Sequence, residues 1–276
     1  MSALPRLGFI GVGTIAAALI TGMCAAGEQR ATFLLSPRNP DIAKGLAERF
    51  SFVEVARDNQ AVIDGSDIVF LAVRPQVAAE VLGPLKFRRE QRIVSLIATF
   101  DVARLRELVA PAGTITRAAP LPSVARRLGP LTLYPPVPEI AGLLQGLGQL
   151  VQLQNEADLE AFWATTGLMA SYFGFLDEIA GWLTRQNLPD TQVRPFVAAM
   201  FEALAATGAE RSRDGFDQLI VEHSTPGGLN EQAYRELQAA GWTGLVSQVL
   251  HLLHARVLGQ ATLADRLPTS PSRPRP

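Results

Sequence analysis

Gly11, Gly13 and Ala16 stand at the spacing Gly-x-Gly-x-x-Ala, directly after the apolar run Leu7-Gly8-Phe9-Ile10 and at the start of a helix of small residues, Ile15 to Ala26. Each residue type answers a physical need. Gly11 permits a tight turn, Gly13 lets backbone come close to a ligand, and Ala16 lets the helix pack near the strand. The free amides of such a helix start, here those of Thr14 and Ile15, suit the pyrophosphate of a dinucleotide. A rival reading uses the same residues, because Leu7 to Gly27 is uncharged and follows Arg6. Glycines break its first third, it has no leucine-rich centre, and Met23 rather than a small residue precedes Cys24, which disfavours an export signal or lipid anchor. The next uncharged stretch, Ala161 to Leu176, is too short and too rich in Thr, Gly and Ser to span a bilayer. A cytoplasmic protein that does not engage a membrane is expected.

The residues that follow the other apolar runs continue the chemistry. After Ala31–Ser36 comes Ser36-Pro37-Arg38-Asn39, about where a site for NAD would carry an acid for the ribose hydroxyls. No carboxylate appears until Asp41, and the forked donors of Arg38 suit a 2′-phosphate, so NADPH is expected rather than NADH. Asn59, then Ala72-Val73-Arg74-Pro75-Gln76, then Ala98 after Ile93–Leu96 fall where ribose and nicotinamide would lie, although Arg74 alone reads equally as a charge capping a helix. Far downstream, Glu222-His223-Ser224-Thr225-Pro226-Gly227-Gly228-Leu229-Asn230 leads into an amphipathic helix. Its paired glycines would expose amides to a carboxylate, and a plain loop capped by Ser224 or Thr225 explains them as well. His223 lacks a visible partner, and His251 and His254 lack a third ligand. No catalytic side chain and no metal site are therefore assigned.

These residues need a scaffold that brings strand ends together. Strands are predicted at Arg6–Gly11, Ala31–Ser36, Ile68–Val73, Ile93–Leu96 and Thr114–Ala118. Helices are predicted at Ile15–Ala26, Pro40–Arg49, Asn59–Asp64, Pro75–Leu82 and Val102–Val109. That alternation specifies an α/β, doubly wound parallel sheet whose ligands lie beyond the strands' carboxyl ends. From Pro130 to Leu153 the pattern breaks into Pro- and Gly-rich pieces. After Glu156 it reads as all helical, with one apolar face at Leu176, Ile179, Ala180 and Leu183 and another at Leu245, Val249, Leu252, Leu253 and Val257. Phe196 to Ala206 is apolar nearly all round, and a second copy of the chain is the simplest cover for it. The tail, Pro268 to Pro276, is too rich in Pro and Arg to pack and is expected to be disordered.

Composition agrees with this scheme. The 276 residues are 48% apolar and only 18% charged, with a net charge of −1, which gives no footprint for nucleic acid. A single cysteine excludes an internal disulfide, and Cys24 on the first helix reads as a small packed hydrophobe.

From Leu7 to about Gly259 the chain resembles the pyrroline-5-carboxylate reductase family. Gly8-Phe9-Ile10-Gly11-Val12-Gly13-Thr14-Ile15-Ala16 is similar to the family's opening Gly-Phe-Ile-Gly-x-Gly-x-Met-Ala, and Ala72-Val73-Arg74-Pro75-Gln76 to its Ala-Val-Lys-Pro-Gln. Glu156-Ala157-Asp158-Leu159, followed by Gly167 and Tyr172, resembles the start of its helical domain, and Thr225-Pro226-Gly227-Gly228 its Ser-Pro-Gly-Gly. The resemblance implies a Rossmann-type domain over 1–155, an all-α dimerisation and substrate domain over 156–267, and the tail over 268–276. It further implies a homodimer or higher homo-oligomer, and hydride transfer from NADPH to the C=N carbon of a cyclic imine acid held by both domains.

The departures fall at the substrate end. The family's Met-Pro-Asn-Thr-Pro becomes Ala119-Pro120-Leu121-Pro122-Ser123, its Gly-Ser-Gly-Pro becomes Gly167-Leu168-Met169-Ala170, and its Gly-Gly-Thr-Thr becomes Gly227-Gly228-Leu229-Asn230. Its Ala-Gly pair becomes Ala98-Thr99. Leu121, Leu168 and Leu229 thus replace polar groups, and each lost hydrogen bond to a charged carboxylate would cost about 1.5–3 kcal/mol. Thr225, the amides of Gly227 and Gly228, and Asn230 remain to bind the acid. The leading expectation is reduction of pyrroline-5-carboxylate to proline. A bulkier or less polar imine, or a member that binds NADP without catalysis, are the alternatives. A 3-hydroxyacid-type dehydrogenase is rejected, since Lys44 and Lys86 are the only lysines and both lie in the first half.

Overall fold

The computed structural model describes residues 4–25 and 29–267. The predicted tail at 268–276, and Ala26 at the end of the first predicted helix, lie outside them. The chain divides into two compact units, the described parts of Met1–Ala164 with His254–Leu263 and of Thr165–Leu253 with Ala264–Pro276.

In the first unit strands and helices alternate: β1 Arg6–Ile10, α1 Thr14–Cys24, β2 Thr32–Leu35, α2 Pro40–Arg49, β3 Val53–Val55, α3 Asn59–Asp64, β4 Ile68–Leu71, α4 Pro75–Leu82, β5 Arg92–Ser95, α5 Val102–Leu108 and β6 Thr114–Pro120. Local chemistry sets several helix starts. Proline opens α2 and α4, where its missing N–H costs nothing, and the carboxylates of Asp58 and Asp101 cap α3 and α5. The strands lie in the order β3-β2-β1-β4-β5-β6, all parallel, with the topological switch between β1 and β4.

Alternation along each strand fills both faces of this sheet. Leu7, Phe9, Phe33, Leu35 and Phe70 face α1 and α2, and Phe9 stacks on Phe70 with ring centroids 4.5 Å apart. Ile10, Leu34, Val69, Leu71 and Ile93 face α3, α4 and α5. Burial on both sides explains why these strands read as continuous apolar runs. Cys24 packs at the edge of the first face, and burial pushes its thiol up to about 12, so it stays protonated at neutral pH.

The sheet is larger than expected and not wholly parallel. The three-residue β3 was not predicted, and neither were β7 Pro130–Tyr134, α6 Pro138–Leu144 and β8 Gln149–Gln152. A 3-10 turn at Pro122–Arg126 returns the chain so that β7 runs antiparallel to β6, and α6 carries it to β8, parallel to β7. β8 is the edge strand of an eight-stranded sheet and keeps Gln149 and Gln152 exposed, so it lacks an apolar run.

Helix α7, Glu156–Thr165, is grouped with the sheet up to Ala164. Beyond it come a 3-10 turn at Thr166–Leu168, then α8 Met169–Arg185, α9 Asp190–Glu210, α10 Phe216–His223, α11 Leu229–Ala239 and α12 Trp242–Val257. α8 and α9 pack through Ala180, Val193 and Val197 with Leu176, Ile179, Leu183 and Phe201, which includes the predicted apolar face of α8. Large apolar side chains on their other sides stay uncovered in the single chain, among them Phe173, Trp182, Phe196 and Leu204. No helix among the described residues is long and apolar enough to cross a membrane.

Candidate functional site

Gly11 is glycine for two reasons. Its φ is +90°, and a Cβ there would stand 2.8 Å from the carbonyl oxygen of Ala72 at the end of β4. Gly13 differs, since a Cβ added to it would meet nothing within 4 Å. It is the N-cap of α1, no side chain caps the helix, and the first turn carries no acid. Gly13 and Thr14 are exposed and Ile15 is half-buried. The first turn therefore offers unpaired amides and the positive end of an 11-residue helix beside open space, which fits an incoming pyrophosphate.

The neighbouring loops divide into supports and contacts. The Ser36 hydroxyl, expected to bind cofactor, is fully buried and accepts a hydrogen bond from the Gly11 amide at 3.0 Å. The structure places it beneath the turn as a support. Arg38 is exposed just beyond β2. Asn59 is half-buried in the first turn of α3. Ala72 and Val73 follow β4, the exposed Arg74 is the N-cap of α4 without a side-chain capping bond, and Pro75 and Gln76 open that helix. Leu121 is half-buried where the Pro122–Arg126 turn begins.

The loop after β5 is held by a residue that sequence reasoning missed. Arg117 on β6 is only 1% exposed. Its Nη2 donates to the Ala98 carbonyl at 2.8 Å, its Nη1 to Glu156 Oε1 at 2.7 Å and, more weakly, to Glu160 Oε1 at 3.5 Å. Glu156 Oε1 also accepts the amide of Val102 at 2.8 Å, and the Trp163 ring lies 5.3 Å from the guanidinium carbon. One ion pair thus joins the loop after β5, the start of α5, and α7. Arg117 shares a strand face with Ile115 and Ala119, so a charge at an inward position of an apolar strand was the available signal.

In the helical unit, Arg211 at the end of α9 binds both oxygens of Glu222 near the end of α10 and also reaches Asp214. Those hydrogen bonds hold the Glu222 carboxyl at about 2, well below its ordinary value of 4.5, so the tie is fully present above that ordinary value and is lost as pH falls through about 2. His223 Nδ1 lies 2.8 Å from the Leu219 carbonyl one turn back, a contact within its own helix. Downstream, the two amides expected to receive a carboxylate are already engaged. Gly227 N–H donates to Glu231 Oε2 at 2.7 Å and Gly228 N–H to the Thr225 carbonyl at 2.8 Å. Thr225 and Asn230 are exposed, Leu229 is 84% exposed, and Leu168 is half-buried in its 3-10 turn.

Comparison with known proteins agrees with this fold. Residues 6–99 match the family model described as NADP oxidoreductase, coenzyme F420-dependent, and residues 156–258 match pyrroline-5-carboxylate reductase dimerisation. The fold and its amide turn thus define a dinucleotide-dependent oxidoreductase with an appended helical dimerisation domain. Pyrroline-5-carboxylate reductase of Pseudomonas aeruginosa is 29% identical, with 95% of this chain and 98% of that protein covered. Pyrroline-5-carboxylate reductase 2 of Rattus norvegicus is 28% identical, with 96% and 87% covered. The crystal structure of 1-pyrroline-5-carboxylate reductase from Streptococcus pyogenes superposes with a TM-score of 0.81 at 23% identity, covering 93% of this chain and 99% of that one. The helical part of the chain, residues 156–258, is thus a dimerisation domain of the pyrroline-5-carboxylate reductase type.

The contrast between the two glycines is testable. Gly11→Ala is expected to lower unfolding free energy by about 1–3 kcal/mol in urea, because it forces a strained φ against a carbonyl. Gly13→Ala should leave stability within about 0.5 kcal/mol and still weaken binding of a nicotinamide dinucleotide, because its methyl would enter the open space beside the uncapped helix start. Equal effects of both on stability would contradict the assigned roles.

Proposed function

We propose that this protein reduces the C=N bond of a cyclic imine with hydride from NADPH, with pyrroline-5-carboxylate converted to proline. The observation that carries the reading is the uncapped, acid-free start of α1 beside an exposed Arg38, within a chain that carries this type of dimerisation domain. NADPH, when bound, supplies the hydride, and a protonated imine is already an electrophile. The chain's task is then to orient two rings and exclude water, which explains why no paired acid and base is needed. The amides of Gly13, Thr14 and Ile15 would take the pyrophosphate and Arg38 the 2′-phosphate. Val73, Arg74, Pro75 and Gln76 would border the ribose, and Ala98 the nicotinamide.

Arg38 supports the choice of NADPH over NADH. Arg38→Ala is expected to weaken NADPH by about tenfold to a hundredfold and NADH by less than about threefold, measured by fluorescence titration. Equal losses would remove Arg38 from the phosphate.

The substrate loop supports a restrained version of the acid-binding role. With Gly227 held by Glu231, a substrate carboxylate has the first-turn amides of Leu229 and Asn230 and must approach beside a negative charge. The uncovered apolar sides of α8 and α9 favour a homodimer or larger homo-oligomer as the working form.

The experiment is NADPH oxidation with pyrroline-5-carboxylate beside 1-pyrroline, which lacks the carboxylate. Turnover of the acid supports the proposal. Turnover of 1-pyrroline alone shifts the substrate to less polar imines, and NADPH binding without turnover of either overturns the reductase reading. Glu231→Gln should raise kcat/KM for the acid by about threefold to tenfold while leaving 1-pyrroline within about twofold. An unchanged ratio would show that the substrate carboxylate does not meet this helix start.

A further inference from the structure

We infer that Arg117 is a positioning residue for hydride transfer, one that fixes the loop after β5 against the nicotinamide end of the cofactor. The inference rests on the cofactor placement proposed above.

A buried guanidinium on a central strand is costly, and apolar residues of similar volume commonly replace buried ion pairs without loss of stability. Packing alone therefore gives no reason for arginine among Ile115, Ala118 and Ala119, all buried neighbours on the same strand. Directional bonding does. The planar fork sends one nitrogen to the Ala98 carbonyl and another to Glu156, two acceptors that one ammonium cannot serve with the same geometry.

What it holds is irregular backbone. Residues 96–101 belong to no strand or helix, and a loop at a strand end is ordinarily the most mobile part of such a sheet. Here it is pinned along its length. Ser95 Oγ accepts the Ile97 amide at 3.2 Å, Arg117 holds the Ala98 carbonyl, and Glu156 takes the Val102 amide with the same oxygen that binds Arg117. Phe100 is buried beneath the Arg104 guanidinium, 3.6 Å from its ring centroid. The peptide carbonyl that Arg117 fixes lies at the one position of this loop, Ala98, placed beside the nicotinamide. Hydride transfer is sensitive to sub-ångström misplacement of donor and acceptor, so fixing this peptide serves catalysis beyond folding.

The test uses the full-length protein with Arg117→Lys, Glu156→Gln, and the apolar double variant Arg117→Met/Glu156→Leu. The double variant separates positioning from stability, because it removes both charges of the close pair and leaves only Glu160, whose 3.5 Å contact is the weaker one and whose side chain keeps some solvent. The expected result is NADPH affinity within about threefold of wild type, kcat reduced at least about tenfold in all three, and a larger kinetic isotope effect with 4-deuterated NADPH. Bound-NADPH fluorescence should shift towards that of the free nucleotide, and amide exchange should rise across 96–102 in the cofactor-free protein. A folded double variant with wild-type kcat, emission and exchange would overturn the inference. So would losses that follow the thermal midpoint alone. Should wild type bind NADPH yet reduce no imine, the reductase reading fails by itself, and the emission and exchange measurements still decide whether Arg117 positions the nicotinamide.

Discussion

The close approach of the Gly11 turn to the Ala72 carbonyl is the constraint on which the architecture depends. It lies at the switch between β1 and β4, where the sheet's winding reverses and a crevice must open beyond the strand ends. A side chain at Gly11 would press the turn away from β4 and displace the start of α1. Ser36 accepts the Gly11 amide from below, so a third strand end, that of β2, locks the same turn. Just beyond this turn Gly13 and Thr14 are exposed, and a Cβ on Gly13 would meet nothing within 4 Å. Phe9 stacked on Phe70 continues the β1–β4 contact into the core.

A second anchor sits farther along the sheet. The pair Arg117–Glu156 ties β6 to α7 and, through Ala98 and Val102, to the backbone on both sides of the loop after β5. The two anchors differ in kind. The Gly11 turn is steric and local, whereas the Arg117 clamp is electrostatic and joins residues 39 apart in sequence. Within the helical unit the organising fact is what a single chain leaves uncovered, since α8 and α9 share one apolar face and expose large apolar residues on the others.

Much of this was legible in the sequence where local chemistry sufficed. The helices at Pro40–Arg49, Asn59–Asp64 and Pro75–Leu82 have the predicted limits because proline or a capping aspartate marks each start. Strands β1, β4 and β5 were visible as apolar runs buried on both sides. β7 and β8 were not, because prolines follow one and exposed glutamines bracket the other. Ser36 was placed at the cofactor by its position after β2, but adjacency in sequence cannot tell whether a strand-end side chain points at the ligand or under it. Arg117 gave only the signal of a charge on an inward face, with its partners far along the chain. Glu231 lies four residues beyond Gly227, and that spacing makes its carboxylate a natural cap for the amide read as free for substrate.

The chemistry that follows from these anchors is simple in outline. In the proposed reading one anchor fixes where phosphates would sit and the other where the nicotinamide would lie, and an iminium would need little more than a hydride held at the right carbon. The most direct measurement follows the hydride itself, by incubating the protein with 4-deuterated NADPH and pyrroline-5-carboxylate and analysing the product by mass spectrometry and NMR. The account predicts proline carrying a single deuterium on the ring carbon that had formed the C=N bond. Saturated NADPH binding with no deuterium in any product would contradict it.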